Sequence, residues 1–235
     1  MSNQKFKKNM LQLAVKCLPS YETFRIIEDV DINAVEIYMD SAHLEKQEIV
    51  TICRDFNFEY AIHAPNDVFA IEETFKFARS INAKLVVTHD LFWEDEWLGI
   101  VKISKDSGIP LAIENVDGML LFQKVIRRYR VKRCIDFEHL ILQTNGLSPA
   151  IFTLLKGPLS DTIHVHLTGY ERGSRKHHTH FYDAPEQTKT ILSFLVDSDY
   201  NGMVVSEAMV EYQTKEHFKK LKDFYDKFEQ EETRG

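Results

Sequence analysis

Imidazoles and carboxylates recur at the ends of short apolar runs along this chain, and that placement is its main chemical signal. His63 lies in FEYAIHAP (58–65), His89 in AKLVVTHD (83–90) and Glu114 in PLAIENV (110–116). Asp136, with His139 three residues on, belongs to VKRCIDFEH (131–139). His164 and His166 share TIHVHLTG (162–169), and Glu207 stands in GMVVSEAM (202–209). An unpaired charge within such runs is costly, so these groups must find partners in space. Carboxylates and imidazoles that converge on one point form the donor set of a divalent cation.

The runs themselves say what must position these groups. With MLQLAVKCL (10–18) and NAVEIYMD (33–40) there are eight, rich in Val and Ile and without strict alternation, which reads as strands buried on both faces of a parallel sheet. Helical patterns separate them. One runs from Pro19-Ser20 to Glu28 and another from Ser41 or His43 to Cys53. Asp67 precedes the third, EDEWLGIVKISK stops before Gly108, and Asp117 stands as N-cap of MLLFQKVIRRY. Ser148-Pro149 opens a helix through Leu155, Asp183 precedes APEQTKTILSFL, and the last helix spans about Thr214–Gln230. Phe218, Leu221, Tyr225 and Phe228 make one apolar stripe on it. Eight strands alternating with helices predict a single (β/α)8 barrel over residues 1–235, with functional groups at the C-terminal strand ends. A doubly wound open sheet is the alternative, and CLPSYE lacks the Gly-rich turn it usually carries after its first strand.

Taken singly, each candidate also has a structural reading. His63 or His89 can be a hydrogen-bonded core histidine, and Glu114-Asn115 can cap a helix. One of His164 and His166, which share strand parity, can simply line the core. Asp136 and His139 can form an isolated ion pair. That all are independently structural is the weaker reading. Glu36, mid-strand in AVEIY, reads as a buried hydrogen-bonded carboxylate rather than a catalytic group, and Trp93 and Trp97 as packing. The loop RKHHTH (175–180), with His177, His178 and His180, reads either as a solvated polar loop or as a metal or phosphate contact.

Composition narrows the classes further. The chain has 235 residues, 44% hydrophobic and 28% charged, a globular mix that leaves little room for a second domain. A net charge of −7 argues against a nucleic-acid partner, and RRYRVKR (127–133) falls at a helix end on the face opposite the strand C-termini. Three widely spaced cysteines argue for a reducing compartment. Lys5, Lys7 and Lys8 precede an apolar run, Met10–Val15, that is too short for a signal peptide. A soluble cytoplasmic protein with no membrane span is expected, and a homo-oligomer is compatible with it.

The ordered blocks VEIY, IHAP, VVTHD, LAIEN, CIDFEH, HVHLTG and VVSEA resemble those of the xylose isomerase-like TIM-barrel superfamily. That superfamily includes sugar-phosphate isomerases and epimerases and the endonuclease IV group. The resemblance implies a divalent metal held by Glu114, Asp136, His166 and Glu207, with His139 contacting substrate or a further metal. It also implies a substrate-binding arginine at Arg172, six residues after His166. The leading implied activity is isomerisation or epimerisation of a small sugar or sugar phosphate. A proton is removed α to a carbonyl, the metal stabilises the enediolate, and Glu114 and Glu207 serve as base and acid. Three carboxylates and one imidazole favour Mn²⁺, Mg²⁺ or Co²⁺, and Zn²⁺ is also accommodated.

The rival is an endonuclease IV-like zinc phosphodiesterase acting on abasic DNA or another phosphoester. It needs further ligands, for which His63, His89, His139, His178 and His180 are candidates. His178-Thr-His180 stands where that group carries Asp-x-His, a departure that weakens the match. The number of metals separates the two: one ion points to sugar chemistry, a cluster reaching His63 and His89 to phosphoester chemistry. A non-catalytic metal-binding barrel is the third reading.

Overall fold

Runs rich in Val, Ile and Ala become strands because their side chains are buried on both sides: the barrel interior on one, the helix layer on the other. The computed structural model describes residues 11–66, 70–90, 92–116 and 119–234. Its strands are β1 (Gln12–Cys17), β2 (Ala34–Tyr38), β3 (Glu59–His63), β4 (Leu85–His89), β5 (Leu111–Glu114), β6 (Lys132–Asp136), β7 (Thr162–Leu167) and β8 (Met203–Ser206). All pair in parallel in sequence order, and β8 returns to pair with β1, closing the barrel. The predicted (β/α)8 architecture is therefore the observed one.

The helices are α1 (Tyr21–Asp29), α2 (Gln47–Arg54), α3 (Ile71–Ser80), α4 (Glu96–Ser107), α5 (Met119–Tyr129), α6 (Phe137–Thr144), α7 (Pro149–Lys156), α8 (Pro185–Asp197) and α9 (Lys215–Arg234). Local chemistry fixes several boundaries. The Ser20 hydroxyl accepts from the Thr23 amide to start α1, and Gly108, at φ 73°, ends α4 in the left-handed region. Two expectations are corrected. The sixth strand stops at Asp136 rather than running to 139, because the Asp136 carboxylate caps a helix that begins at Phe137. That helix, α6, was missed in the sequence. The predicted caps Asp67 and Asp117, and the segment with Lys5, Lys7, Lys8 and Met10, lie outside the described residues.

Two apolar layers result. Between strands and helices lies the larger, with Phe24, Phe75, Trp97, Phe137 and Phe181 buried in it. Inside the barrel the fill is small: Ala14, Ala34, Ala61 and Ala112 with Leu85, Val87, Cys134, Met203 and Val205. Trp97 is packing as expected, whereas Trp93 is exposed. All three cysteines are free and buried. No helix among the described residues is long and apolar enough to cross a membrane.

The apolar stripe of α9 is buried as its spacing requires: Phe218, Leu221, Tyr225 and Phe228 all face inward, and the Tyr225 hydroxyl donates to the Leu11 carbonyl at the start of the barrel. Phe218→Ala should destabilise the fold by about 3–5 kcal/mol in equilibrium denaturation. A loss below about 1 kcal/mol would show that α9 does not seal the barrel in this way.

Candidate metal centre

Side chains on a strand alternate between faces, so the inward set on each strand runs from the alanine-rich layer toward the strand C-terminus. Two residues beyond Ala14 stands Lys16; beyond Ala34, Glu36; beyond Ala61, His63; beyond Val87, His89. On the other side of the ring Ala112 is followed by Glu114, Cys134 by Asp136, and Val205 by Glu207, while β7 contributes His164 and His166. Strand register sets these residues side by side: Lys16 pairs with Glu36, His89 with Glu114 and Asp136 with His166.

Glu114, Asp136, His166 and Glu207 each offer one ligand atom, and the four atoms lie within 4.8 Å of one another. His166 Nδ1 is 3.3 Å from Glu114 Oε2, 3.2 Å from Glu207 Oε2 and 3.8 Å from Asp136 Oδ2. Three of these buried atoms, Asp136 Oδ2, His166 Nδ1 and Glu207 Oε2, have no hydrogen-bond partner. Buried polar atoms are rarely left so. Three orphans aimed at one point fit a divalent cation, and this donor set can hold one.

The remaining atoms of the same side chains are tied down. Asp136 Oδ1 accepts the His139 amide at 2.7 Å, so the α6 cap fixes which oxygen is left free. Asn115 accepts the Asp136 amide at 2.8 Å and donates to its carbonyl at 3.0 Å, stitching the end of β5 to β6. Glu207 Oε1 accepts from Lys16 Nζ at 2.7 Å. His166 Nε2 donates to Glu36 Oε2 at 2.9 Å, which turns Nδ1 toward the carboxylates of the centre, and His164 Nε2 donates to the same oxygen at 2.6 Å. Glu36 is thus the buried hydrogen-bonded carboxylate its position suggested.

A second group shares Glu114. His63, His89 and Glu114 also place their ligand atoms within 4.8 Å. His63 Nε2 is 3.1 Å and His89 Nε2 3.7 Å from Glu114 Oε2, while His139 Nε2 is 3.6 Å from Glu114 Oε1. His63 Nδ1 lies 3.0 Å from the Ala64 carbonyl and Nε2 3.1 Å from Glu114 Oε2, so the ring is held between two oxygen acceptors.

Charges respond as crowding requires. Burial, then repulsion from Glu114 and Glu207, raises the Asp136 carboxyl well above its usual range. Burial works to raise Glu114 too, but the imidazoles of His166 and His63 outweigh it and hold it well below. Burial opposes charge on His166, yet Cys134, Glu36, Glu114 and Glu207 together raise it well above the histidine norm. Burial takes His89 down to about 4 and keeps it neutral.

The centre opens into a cavity of about 460 Å³ at the C-terminal ends of the strands, lined among others by Lys16, Tyr38, His89, Glu114, His139, His178 and Glu207. Two candidates fall elsewhere. His180 is buried away from the centre, its Nδ1 on Ser206 Oγ and its Nε2 on the Tyr212 carbonyl. Arg172 is exposed beside Gly146, at the end of α6, and does not line the cavity. From the segment 170–200 only His178 reaches the cavity lining, and 185–197 forms outer helix α8. Lys16 was missed; its signal was a lysine at inward parity inside an otherwise apolar strand.

No family model and no curated protein matches the chain. Solved structures do. A xylose isomerase domain protein from Planctomyces limnophilus is 12% identical, covering 98% of this chain and 100% of that one, with a TM-score of 0.69. The TTHB071 protein from Thermus thermophilus, in a crystal soaked with ZnCl2, is 15% identical over 92% and 99% of the chains, TM-score 0.67. The tryptophan synthase α-subunit of Pyrococcus furiosus is 14% identical over 95% and 98%, TM-score 0.61. At such identities the likeness is one of fold, the (β/α)8 barrel read from the sequence. A shared barrel does not fix chemistry.

Metal binding must displace protons from His166 and Asp136, both raised. Mn²⁺ or Zn²⁺ affinity should therefore rise with pH, with at least one proton released per centre in calorimetry across buffers of different ionisation heat. Glu207→Gln should weaken binding about 10–100-fold; wild-type affinity in that variant would remove Glu207 from the ligand set.

Proposed function

We propose that the chain is a metal-dependent enzyme that hydrolyses a small phosphoester at two divalent cations sharing Glu114. The observation that carries this reading is the convergence of His63 and His89 on the carboxylate that also faces Asp136, His166 and Glu207. One cation would take Glu114, Asp136, His166 and Glu207; the other His63, His89 and Glu114. Mixed nitrogen and oxygen donors suit Zn²⁺, Mn²⁺ or Co²⁺ better than Mg²⁺.

Charge favours two ions and an anionic substrate. Glu36, Glu114, Asp136 and Glu207 contribute −4 and Lys16 +1, a sum of −3. One divalent ion leaves the buried group at −1, which repels a phosphoryl oxygen. Two bring it to +1, which attracts one. The bound ions supply Lewis-acid polarisation of the ester and a nucleophilic water near neutral pH.

The chain's own groups do the remainder. Glu36 fixes the ring of His166, Lys16 restricts Glu207 to one free oxygen, and Asn115 holds β5 and β6 in step. His139, partly exposed at the cavity wall and beside Glu114, is placed to pass a proton to a departing oxygen. A cavity of about 460 Å³ and a net charge of −7 support a small molecule over duplex DNA.

Isomerisation or epimerisation of a sugar or sugar phosphate is the second reading. It is favoured by Glu114, at the end of β5, and Glu207, just past β8, both lining the cavity.

Loaded with Zn²⁺ or Mn²⁺, the protein should bind two equivalents and release phosphate or alcohol from a phosphoester panel. His89→Ala should drop to one equivalent and lose about 100-fold in rate. Deuterium uptake at the carbon α to a ketose carbonyl in D₂O, with one ion bound and no ester cleavage, would establish the second reading instead.

A further inference from the structure

The cavity mouth is chemically divided. Imidazoles and Glu114 line the arc over β3–β7, whereas the arc over β8, β1 and β2 presents Met209 and Val210, Leu18, and Tyr38 beside Lys16 and Glu207. Met209, Val210, Leu18 and Tyr38 are exposed by 44%, 63%, 41% and 41%. Among the described residues only nine large apolar side chains are comparably exposed, so nearly half of them gather at one lip of one cavity. Exposed apolar residues scattered singly need no explanation, but a contiguous set continuous with a ligand cavity does.

The lip is held in place. The Met209 amide donates to the His178 carbonyl at 2.8 Å, and Val210–Tyr212 forms a 3₁₀ turn. Gln213 Nε2 donates to the Lys16 carbonyl at 3.2 Å and the Ala208 carbonyl at 3.3 Å, fastening the β8 loop across β1. Leu18 is followed by Pro19 and by Ser20, the cap of α1. Backbone hydrogen bonds thus keep these side chains facing the cavity rather than letting them fold into the core. Lys16 stands at the border, its ammonium on Glu207 and 5.4 Å from the centre of the Tyr38 ring.

We infer that the substrate is amphiphilic: a phosphoryl head at the metal centre joined to an aryl or short alkyl group that packs against Leu18, Tyr38, Met209 and Val210. This rests on the metal-centred phosphoester reading and adds to it the class of the organic group. The lip makes one continuous surface with the cavity that holds the metal ligands, which favours a single ligand spanning both. A cavity of this size, mostly apolar with a few convergent polar groups, is what small organic ligands occupy.

The test is calorimetry of methyl-, butyl- and phenylphosphonate with the metal-loaded full chain. Phenylphosphonate should bind at least about tenfold more tightly than methylphosphonate, with butylphosphonate between. The double variant Leu18→Ser/Val210→Ser should narrow that ratio to about threefold or less. Leu154→Ser, also exposed but remote on α7, should leave it intact. Equal affinity for all three ligands would overturn the inference and leave the metal reading standing. Failure of every phosphonate to bind with two ions in place would overturn both. A stable dimer that Val210→Ser dissociates, with no ranking among phosphonates, would assign the lip to a second copy and overturn the inference.

Discussion

Four carboxylates buried in one end of a closed barrel are the constraint around which this molecule is organised. Glu36, Glu114 and Asp136 are almost wholly shielded and Glu207 nearly so. Such a group does not stay ionised without positive partners close by. Every unusual residue of the barrel end answers to that need. Lys16 lies against Glu36 and Glu207, His164 and His166 donate to Glu36, and His63 faces Glu114. Asp136 has only His166, at 3.8 Å, which burial and the charges of Glu114 and Glu207 outweigh, and its carboxyl is the one pushed upward.

The scaffold delivers this crowd through two regularities. Alternation along a strand puts every second residue inside, and closure makes eight inward rows meet. Small alanines low in the barrel let the strands approach, and the polar layer above them is where the rows end. Asn115 and the Asp136 cap then settle details that alternation leaves open. One couples adjacent strand ends, and the other decides which carboxylate oxygen is free.

Chemistry follows from how the groups partition. His63 and His89 do not stand apart as core histidines; their ligand atoms lie within 4.8 Å of Glu114, the arrangement on which the proposed two-ion phosphoester chemistry depends. The loops matter differently. Of the histidine-rich loop only His178 reaches the cavity; His177 bonds the buried Glu138, and His180 is consumed by Ser206 and Tyr212.

The eight-unit barrel and the gathering of imidazoles and carboxylates at its strand ends were legible in the sequence, because they depend on short-range order: which residues end an apolar run, and with what parity. Choosing Glu114, Asp136, His166 and Glu207 from that gathering took the family resemblance, and the distances place the four together. Helix α6 escaped because Asp136 is at once the end of a strand and a cap, and only the cap's hydrogen bond separates those roles. Lys16, the partners of Glu36 and the apolar lip acquired meaning only in the tertiary structure. Lys16 meets a carboxylate 191 positions away, and Glu36 meets histidines 128 and 130 positions away. Closure of β8 onto β1 creates the first contact and the curvature of the ring the others, and no local pattern encodes either. Arg172 and His180 show the same limit from the other side, since spacing along a loop does not say where the loop goes.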